Sequence, residues 1–571
     1  MTENKLIGAS FRSVKLSMLF TILQKIITFS LNQLLLMYTS PDIIGLSAVQ
    51  LELLLSTLAL SREGIRLTAI RESIDTIKKR QQLINLSYIP SMIIILIAVT
   101  IVTCSYFNLK IGSNNNEVNK IDERIVLLYC FGALFESLGE PFVNLFQNSL
   151  QMQPKLRAET IAIFARSCTT FVCIVYFQLG LLSFGFAQMV YGLIYLTVII
   201  ENIKRTPING CILSITDFLP STASNSITSG LVDRNVENND NGILNSKMVS
   251  FAWTSTFSSL VKHVLTEADR ITLSLTASSY DQGLFALANN YGSFLTRLLF
   301  LPLEDSSRMV FSKMTSEIRQ NDDCGNDNNE TIEDMANLFT FLFHSISTFI
   351  LIFPTFGPNY VNLFVHLLFR SKWKSRDSVQ TLGYYCFYLY SLGLNGISES
   401  FVHATAPAKK FFRINFGLLI STIVYIAIAI PLIKRMGTSG IIIAGSASMI
   451  VRTSSSLLYV KSCFDTKSVA NSLSLSSYDP SKSKINFNIL ALFPHFAIII
   501  VALISYIATK ISSQIHEVSE LRLKDHILHI TNGIISFIAY AIIVFIYTKN
   551  DIIKLFKLII GKNNQEKLKV T

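Results

Sequence analysis

Apolar runs of about 20 residues recur along the whole chain, and each is long enough to cross a hydrocarbon layer as a helix. They fall near 14–37, 43–64, 82–107, 125–150, 157–178, 181–203 and 248–276. They continue near 280–311, 333–357, 379–404, 411–433, 437–460, 485–509 and 526–548. The pattern predicts about 14 transmembrane helices. Polar stretches separate them. The longest, 204–247, is rich in Asn, Ser and Asp and reads as a mostly disordered linker. A second, 321–334, reads as a flexible loop whose Asp322-Asp323 pair is solvated rather than metal-binding. Residues 551–560 (DIIKLFKLII) read as a short basic amphipathic helix on the membrane surface. The implied organisation is an N-lobe over 1–203 with spans 1–6 and a cytosolic linker over 204–247. A C-lobe follows over 248–460 with spans 7–12, then spans 13–14 and a basic tail over 461–571.

Composition agrees. Of 571 residues, 50% are hydrophobic and only 15% charged, and mean hydropathy is +0.44. Soluble domains carry about 25% charged residues. The fold class is an all-α polytopic membrane protein. The net charge of +11 marks loops beside anionic lipid rather than nucleic-acid binding. Placing both termini in the cytosol puts the larger share of loop Lys and Arg there, including Arg71, Lys78, Lys79, Arg80, Lys409, Lys410 and the tail from Lys549. The basic stretch Arg370–Arg376 falls on the far side and dissents. Residues 1–13 are polar and no cleavage site follows the first apolar run, so span 1 reads as an uncleaved signal anchor. The eight cysteines are scattered without a CxxC pair, which points to packing rather than to zinc or a disulfide framework.

Charges inside the apolar segments change the picture most. The densest group is Lys262-His263-Val264-Leu265-Thr266-Glu267-Ala268-Asp269-Arg270. Others are Arg62, Glu63 and Arg66, then Arg297, and Glu399 with His403. A charge at mid-bilayer costs roughly 2.5–3.5 kcal/mol, so such groups face a bundle interior or a water-filled cavity. On one continuous helix, His263, Glu267 and Arg270 share a face. They are either internal salt bridges that fix packing or the lining of a cavity for a glycan or phosphate. Arg62 and Arg66, one turn apart, offer the planar donor fork that suits phosphate, or snorkel to the surface. Glu136 and Glu140, in ESLGEPF, read as a conformational or pairing element, because no nucleophile accompanies them.

The chain also repeats itself. Moved by 238 positions, Lys25 falls on His263, Thr28 on Thr266, Ser40 on Ser278, Gly45 on Gly283 and Ala48 on Ala286. The same register sets Arg66 against Glu304, which suggests a pair of charges at a cavity mouth. Repeats of this kind build transporters with the site at the repeat interface. No GxxxxGK[ST] loop, hydrolase triad or metal-ligand set is present, so an enzyme, an ATP site and a resident cofactor are not expected.

Several segments resemble the Rft family: ITFSLNQLLL (27–36), LSREGIRL (60–67), ESLGEPF (136–142), LTEADR (265–270), DQGLFALANNYGSFLTRLLFLPLED (281–305) and YCFYLYSLGLNGISESF (385–401). The family belongs to the multidrug/oligosaccharidyl-lipid/polysaccharide flippase superfamily. The resemblance implies an endoplasmic-reticulum membrane protein of asparagine-linked glycosylation, with two pseudo-symmetric lobes around a central polar cavity. It implies the dolichol-diphosphate heptasaccharide Man5GlcNAc2 as substrate, with membrane lipids and the glycosylation machinery as partners. On this reading Arg62, Arg66, Lys262, Arg270 and Arg297 meet or gate the diphosphate, and His263, Glu267, Asn290 and Glu304 meet sugar hydroxyls or those cations. Two rivals stay open: a non-transporting scaffold of the same pathway, and an ion-coupled small-molecule antiporter. Span 1 argues against the antiporter, because it carries Lys15 and Lys25 but no acidic residue.

Overall fold

The computed structural model describes residues 29–71, 77–106, 122–149, 151, 153–205, 218–220, 243–323, 329–369, 371–465, 487–515 and 523–570. All regular structure among them is helical. Nine helical stretches are long and apolar enough to cross a membrane among these residues, or ten if one bent pair is a single span. The chain forms two compact units, Met1–Ala286 and Leu287–Thr571.

The first unit begins with α1 (residues 29–38) and α2 (Pro41–Gly45), then a π-helical turn, Leu46–Leu51, that runs into α3 (Glu52–Arg71). Then come α4 (Ile77–Leu86), α5 (Ile89–Tyr106), α6 (Glu123–Leu138), α7 (Glu140–Asn148), α8 (Gln153–Val175) and α9 (Leu182–Arg205). Helices α10 (Ser246–Thr266) and α11 (Ala268–Thr276) complete it, with the start of α12 (Ser279–Leu295). Asp122 caps α6 by accepting from the Arg124 amide at 3.0 Å. α6 and α7 bend by 41° at Gly139, where Pro141 sits in the first turn of α7 and cannot donate an amide to continue the ladder. Glu136 and Glu140 therefore lie on opposite sides of a break.

Small residues set the helix crossings, as in membranes generally, where close backbone approach replaces the hydrophobic drive. α6 and α9 meet at Gly132 and Gly192: a Cβ on Gly132 would lie 2.5 Å from the Gln188 carbonyl oxygen. α3 and α10 meet at Gly64, where a Cβ would lie 2.5 Å from the Ala252 carbonyl oxygen. The tightest approach joins α2 to α12. A Cβ on Gly45 would strike the Ser279 carbonyl and lie 2.5 Å from the Gly283 nitrogen, and one on Gly283 would strike the Pro41 carbonyl. Ser279 Oγ donates to Asp42 Oδ1 at 2.9 Å, and Gln50 Nε2 donates to Gln282 Oε1 at 3.2 Å. Pro41 and Ser279, like Gly45 and Gly283, correspond in the 238-residue register, so the contact is reciprocal.

Within the polar stretch 204–247, residues 218–220 are held in place. Phe218 is buried against Phe142 with ring centroids 4.4 Å apart, and its carbonyl accepts from Tyr88 OH at 2.9 Å. The Leu219 carbonyl accepts from Gln81 Nε2 at 2.9 Å. These three residues are ordered because an aromatic residue finds an apolar socket; residues 206–217 and 221–242 of the stretch lie outside the described residues.

The second unit holds the rest of α12, a π-helical turn (Thr296–Phe300), α13 (Leu301–Asp323), α14 (Asn329–Ile350) and α15 (Ile352–Leu368). It continues with α16 (Arg376–Thr405), α17 (Ala408–Met436), α18 (Thr438–Phe464), α19 (Phe496–Ile515) and α20 (Leu523–Val570). Its core is aromatic: Phe311, Phe339, Phe343, Phe401 and Phe464 are all buried, with Phe401 5.0 Å from both Phe311 and Phe339. Gly437 joins α17 to α18 with a φ of 56°, the left-handed region glycine enters freely. α19 starts at Phe496 rather than near 485, because Pro494 stands just before it. A polar knot ties α19 and α20 to α15. Asn359 Nδ2 donates to Thr509 Oγ1 at 2.8 Å. Buried His529 stacks on Tyr360 at 4.3 Å and uses both ring nitrogens. Its Nε2 donates to the Asn359 carbonyl at 3.2 Å, which leaves Nδ1 to accept from Ser512 Oγ at 3.0 Å. The surface helix expected at 551–560 is continuous in backbone with α20.

Candidate functional site

The charged groups gather into separate clusters, each built within one unit. The first lies where α3 faces the α6–α7 break. Arg62 Nη1 is 2.7 Å from Glu136 Oε1 and 3.6 Å from Glu140 Oε1. Arg66 grips Glu140 with both arms of its fork, Nε to Oε2 at 2.9 Å and Nη2 to Oε1 at 2.5 Å. Two arginines thus face two carboxylates, and formal charge balances. The arginines lie one turn apart on α3, while the break lets Glu136 and Glu140 approach them from two helices. Exposure separates the arginines: the Arg62 side chain is 5% exposed, that of Arg66 25%. Arg62 is committed to its pairs, whereas Arg66 keeps a face open. Lys155, which pairs with Glu159 at 3.8 Å, lies within electrostatic reach of Arg66.

A second cluster surrounds Glu267. The apolar run gives no sign of it, but the helix breaks there: Glu267 has φ −98° and ψ 12°, between α10 and α11. His263, Glu267 and Arg270 therefore do not form one stripe on a continuous helix, which corrects the expected geometry. Arg270 Nη1 instead donates to Glu267 Oε2 at 2.8 Å, a pair that spans the break. His263 closes α10, and its Nε2 is buried without a hydrogen-bond partner. The side chains of Lys262 and Arg297 lie outside the description. Arg297 belongs by its backbone to the π-helical turn, a form enriched at functional sites. Asn290 is half-buried on α12, beside Asn289, whose Oδ1 accepts from Tyr385 OH at 3.3 Å.

The third cluster is in the second unit. Glu399 on α16 accepts from Arg452 Nη2 with both oxygens at 2.8 Å, and from Asn395 Nδ2 at 2.7 Å. His403 Nε2 stands 3.5 Å from Glu399 Oε1. Glu304 on α13 rests its carboxylate on the α16 backbone at Gly396, where a Cβ would collide with it.

Sequence reasoning missed Arg452 and the pair Glu52–Arg166, which joins the start of α3 to α8 at 2.7 Å. Each is a lone charge in a long apolar run. That isolation in hydrocarbon was the available signal, since such a charge needs a partner on another helix.

Comparisons with known proteins bear on this arrangement. The family model described as Rft protein matches residues 9–558. The chain is 26% identical over 596 residues to the Man(5)GlcNAc(2)-PP-dolichol translocation protein RFT1 of Dictyostelium discoideum, covering 99% of this chain and 98% of that one. The protein of the same name from Saccharomyces cerevisiae is 26% identical over 494 residues, covering 79% and 81%. Among solved structures, the lipid II flippase MurJ in its inward closed conformation matches with a TM-score of 0.59 at 16% identity, covering 94% of this chain and 99% of that one. At that identity the likeness is one of fold.

Proposed function

This chain belongs to the Rft protein family, and from that membership we propose that it moves Man5GlcNAc2-diphosphate-dolichol from the cytosolic to the lumenal leaflet of the endoplasmic-reticulum membrane. The termini face the cytosol, as the distribution of Lys and Arg among the loops supports. The protein acts as a transporter and not as an enzyme.

One observation carries the reading: Arg66 holds its forked pair with Glu140 in a span while keeping a quarter of its side chain exposed. A diphosphate competes for that fork on equal terms, because phosphate and carboxylate both accept two parallel N–H bonds from one guanidinium. Glu140 keeps the fork paired until substrate arrives, and buried Arg62 keeps Glu140 in place. Arg270 and Glu267 form a second exchangeable pair at the α10–α11 break. Lys262 and Arg297 add positive charge for the diphosphate, while His263, Asn290 and Glu304 offer polar contacts for sugar hydroxyls.

The sealed state of Arg62 favours a second reading, in which the clusters only hold helices together and the protein is a scaffold of the pathway. Reconstitution separates the two. Purified protein in liposomes containing labelled heptasaccharide lipid is expected to move label between leaflets. Arg66→Lys is expected to fold, keep its charge, lose the fork and abolish the movement. Absence of movement by wild-type protein at normal folded yield leaves the scaffold.

A further inference from the structure

Around Glu304 the second unit sets three described carboxylates, Glu304, Asp305 and Glu399, against two arginines, Arg308 and Arg452, and the excess sits at one residue. Glu399 is fully committed, taking both hydrogen bonds from Arg452 Nη2 at 2.8 Å and one from Asn395 at 2.7 Å. Glu304 has no basic group within ion-pair distance among the described residues. It lies within electrostatic reach of Glu399, Asp305 and Arg308. Arg308 is shared with Asp305 at 4.0 Å, and both are about half exposed. His403 adds positive charge only when protonated. Two carboxylates therefore face each other across one turn of α16 with a single fixed cation, Arg452, engaged by one of them.

The packing shows that this position is built. Gly396 is where α16 lacks a side chain, and the space is filled by the Glu304 carboxylate: any Cβ would overlap its Oε1. Next to it Asn395, only 5% exposed, turns its Nδ2 toward Glu399 and leaves Oδ1 buried with no donor. Arg452 Nε is buried with no acceptor. An unpaired carboxylate in a low-dielectric setting takes up a proton rather than stay charged, and a neighbouring carboxylate strengthens that tendency. Asn395 Oδ1 and Arg452 Nε thus leave one acceptor and one donor unused beside the Glu399 carboxylate.

We propose that Glu304, cradled at Gly396 beside Asn395 and the Glu399–Arg452 pair, is a proton-binding site whose loading and release are coupled to the transport cycle. The coupling rests on the translocation reading above; the proton site does not. Among the described residues, Asp305 and Arg308 on α13 and Glu399 on α16 act on Glu304 electrostatically, and Asn395, His403 and Arg452 contact it only through Glu399. The proposal gives the chain a source of drive in the absence of an ATP loop.

The test uses the purified full chain in lipid. Infrared difference spectra across a pH titration are expected to show a protonated-carboxyl C=O band that appears as pH falls. E304Q is expected to lose the band. G396A, which crowds the carboxylate, is expected to keep it with a displaced midpoint. A band that persists unchanged in E304Q, or no titrating carboxyl in wild-type protein, overturns the site. In liposomes with labelled heptasaccharide lipid, a transmembrane pH gradient is expected to change the wild-type rate, and the pH dependence of that rate is expected to move in G396A with its displaced midpoint. A titrating band lost in E304Q, with no lipid movement in wild type, keeps the site and overturns the translocation reading instead. Lipid movement in wild type that ignores the gradient overturns the coupling alone.

Discussion

At the scale of single residues, Arg62, Arg66, Arg166 and Arg452 each find a carboxylate on another helix. Arg62 illustrates the energetics. With its side chain 5% exposed and two carboxylates beside it, it is worth little as a net stabiliser but is costly to remove. Arg62→Leu leaves Glu136 and half of Glu140 uncompensated, and breaking a buried pair in this way costs about 3–5 kcal/mol. Steady-state level in cells is expected to collapse for Arg62→Leu. Arg66→Lys is expected to keep its level while a reporter glycoprotein becomes underglycosylated; equal loss of level in both would assign Arg66 to packing alone. Asn85 gives a simpler case. It opens the sequon Asn85-Leu86-Ser87, yet it is 8% exposed and its Nδ2 donates to the Ile243 carbonyl at 3.0 Å. Ser87 is buried and accepts from Asn144 Nδ2 at 2.8 Å. The protein is expected to carry no glycan there, so Asn85→Gln leaves its mobility unchanged before and after glycosidase digestion.

At the scale of elements, the sequence was legible where a period or a length decides. Long apolar runs gave α9, α16 and α18 nearly in place, because about 20 apolar residues admit few other structures in a membrane. The break at Glu267 was not legible. No Pro or Gly marks it, and the one-helix reading of His263, Glu267 and Arg270 followed from spacing alone. Pairing was legible only within a helix. Spacing says which side chains share a face, but not that Arg452 would meet Glu399 or that Arg166 would meet Glu52. Those contacts depend on which helices pack together. Glycines were more informative than their number suggested. Gly64 lets α3 lie on α10 almost backbone to backbone. Gly64→Val is expected to cost roughly 1–3 kcal/mol, the usual range for overpacking, lowering the thermal midpoint in detergent. Gly417, with nothing within reach of a Cβ, is the matched control, and Gly417→Ala is expected to leave the midpoint unchanged.

At the scale of the molecule, the compact units do not divide where the polar linker does. The first runs to Ala286 and takes in α10, α11 and the start of α12, which follow the 204–247 stretch. Contacts at Gly64 with Thr256, at Gly45 with Gly283 and between Gln50 and Gln282 all join residues on opposite sides of that stretch. Chain continuity there is then not what holds the unit together. Co-expression of 1–230 with 231–571 is expected to restore glycosylation in cells lacking the intact chain, and the two fragments are expected to co-purify. Gly45→Val in the first fragment is expected to abolish co-purification. Fragments that never associate, even when both accumulate, would show that the linker carries the assembly.

The reciprocal seating of Gly45 and Gly283 has the form of a homodimer contact enclosed in one polypeptide. Each glycine rests on the backbone position that corresponds to the one its counterpart rests on, as in an isologous interface where one patch is used twice. Two identical half-length chains could meet through this patch with no further invention. Once the halves are fused, the two copies are bound to each other in their freedom to change. A methyl group gained by either glycine strikes backbone rather than a movable side chain, so neither half can drift at this point unless the other gives way.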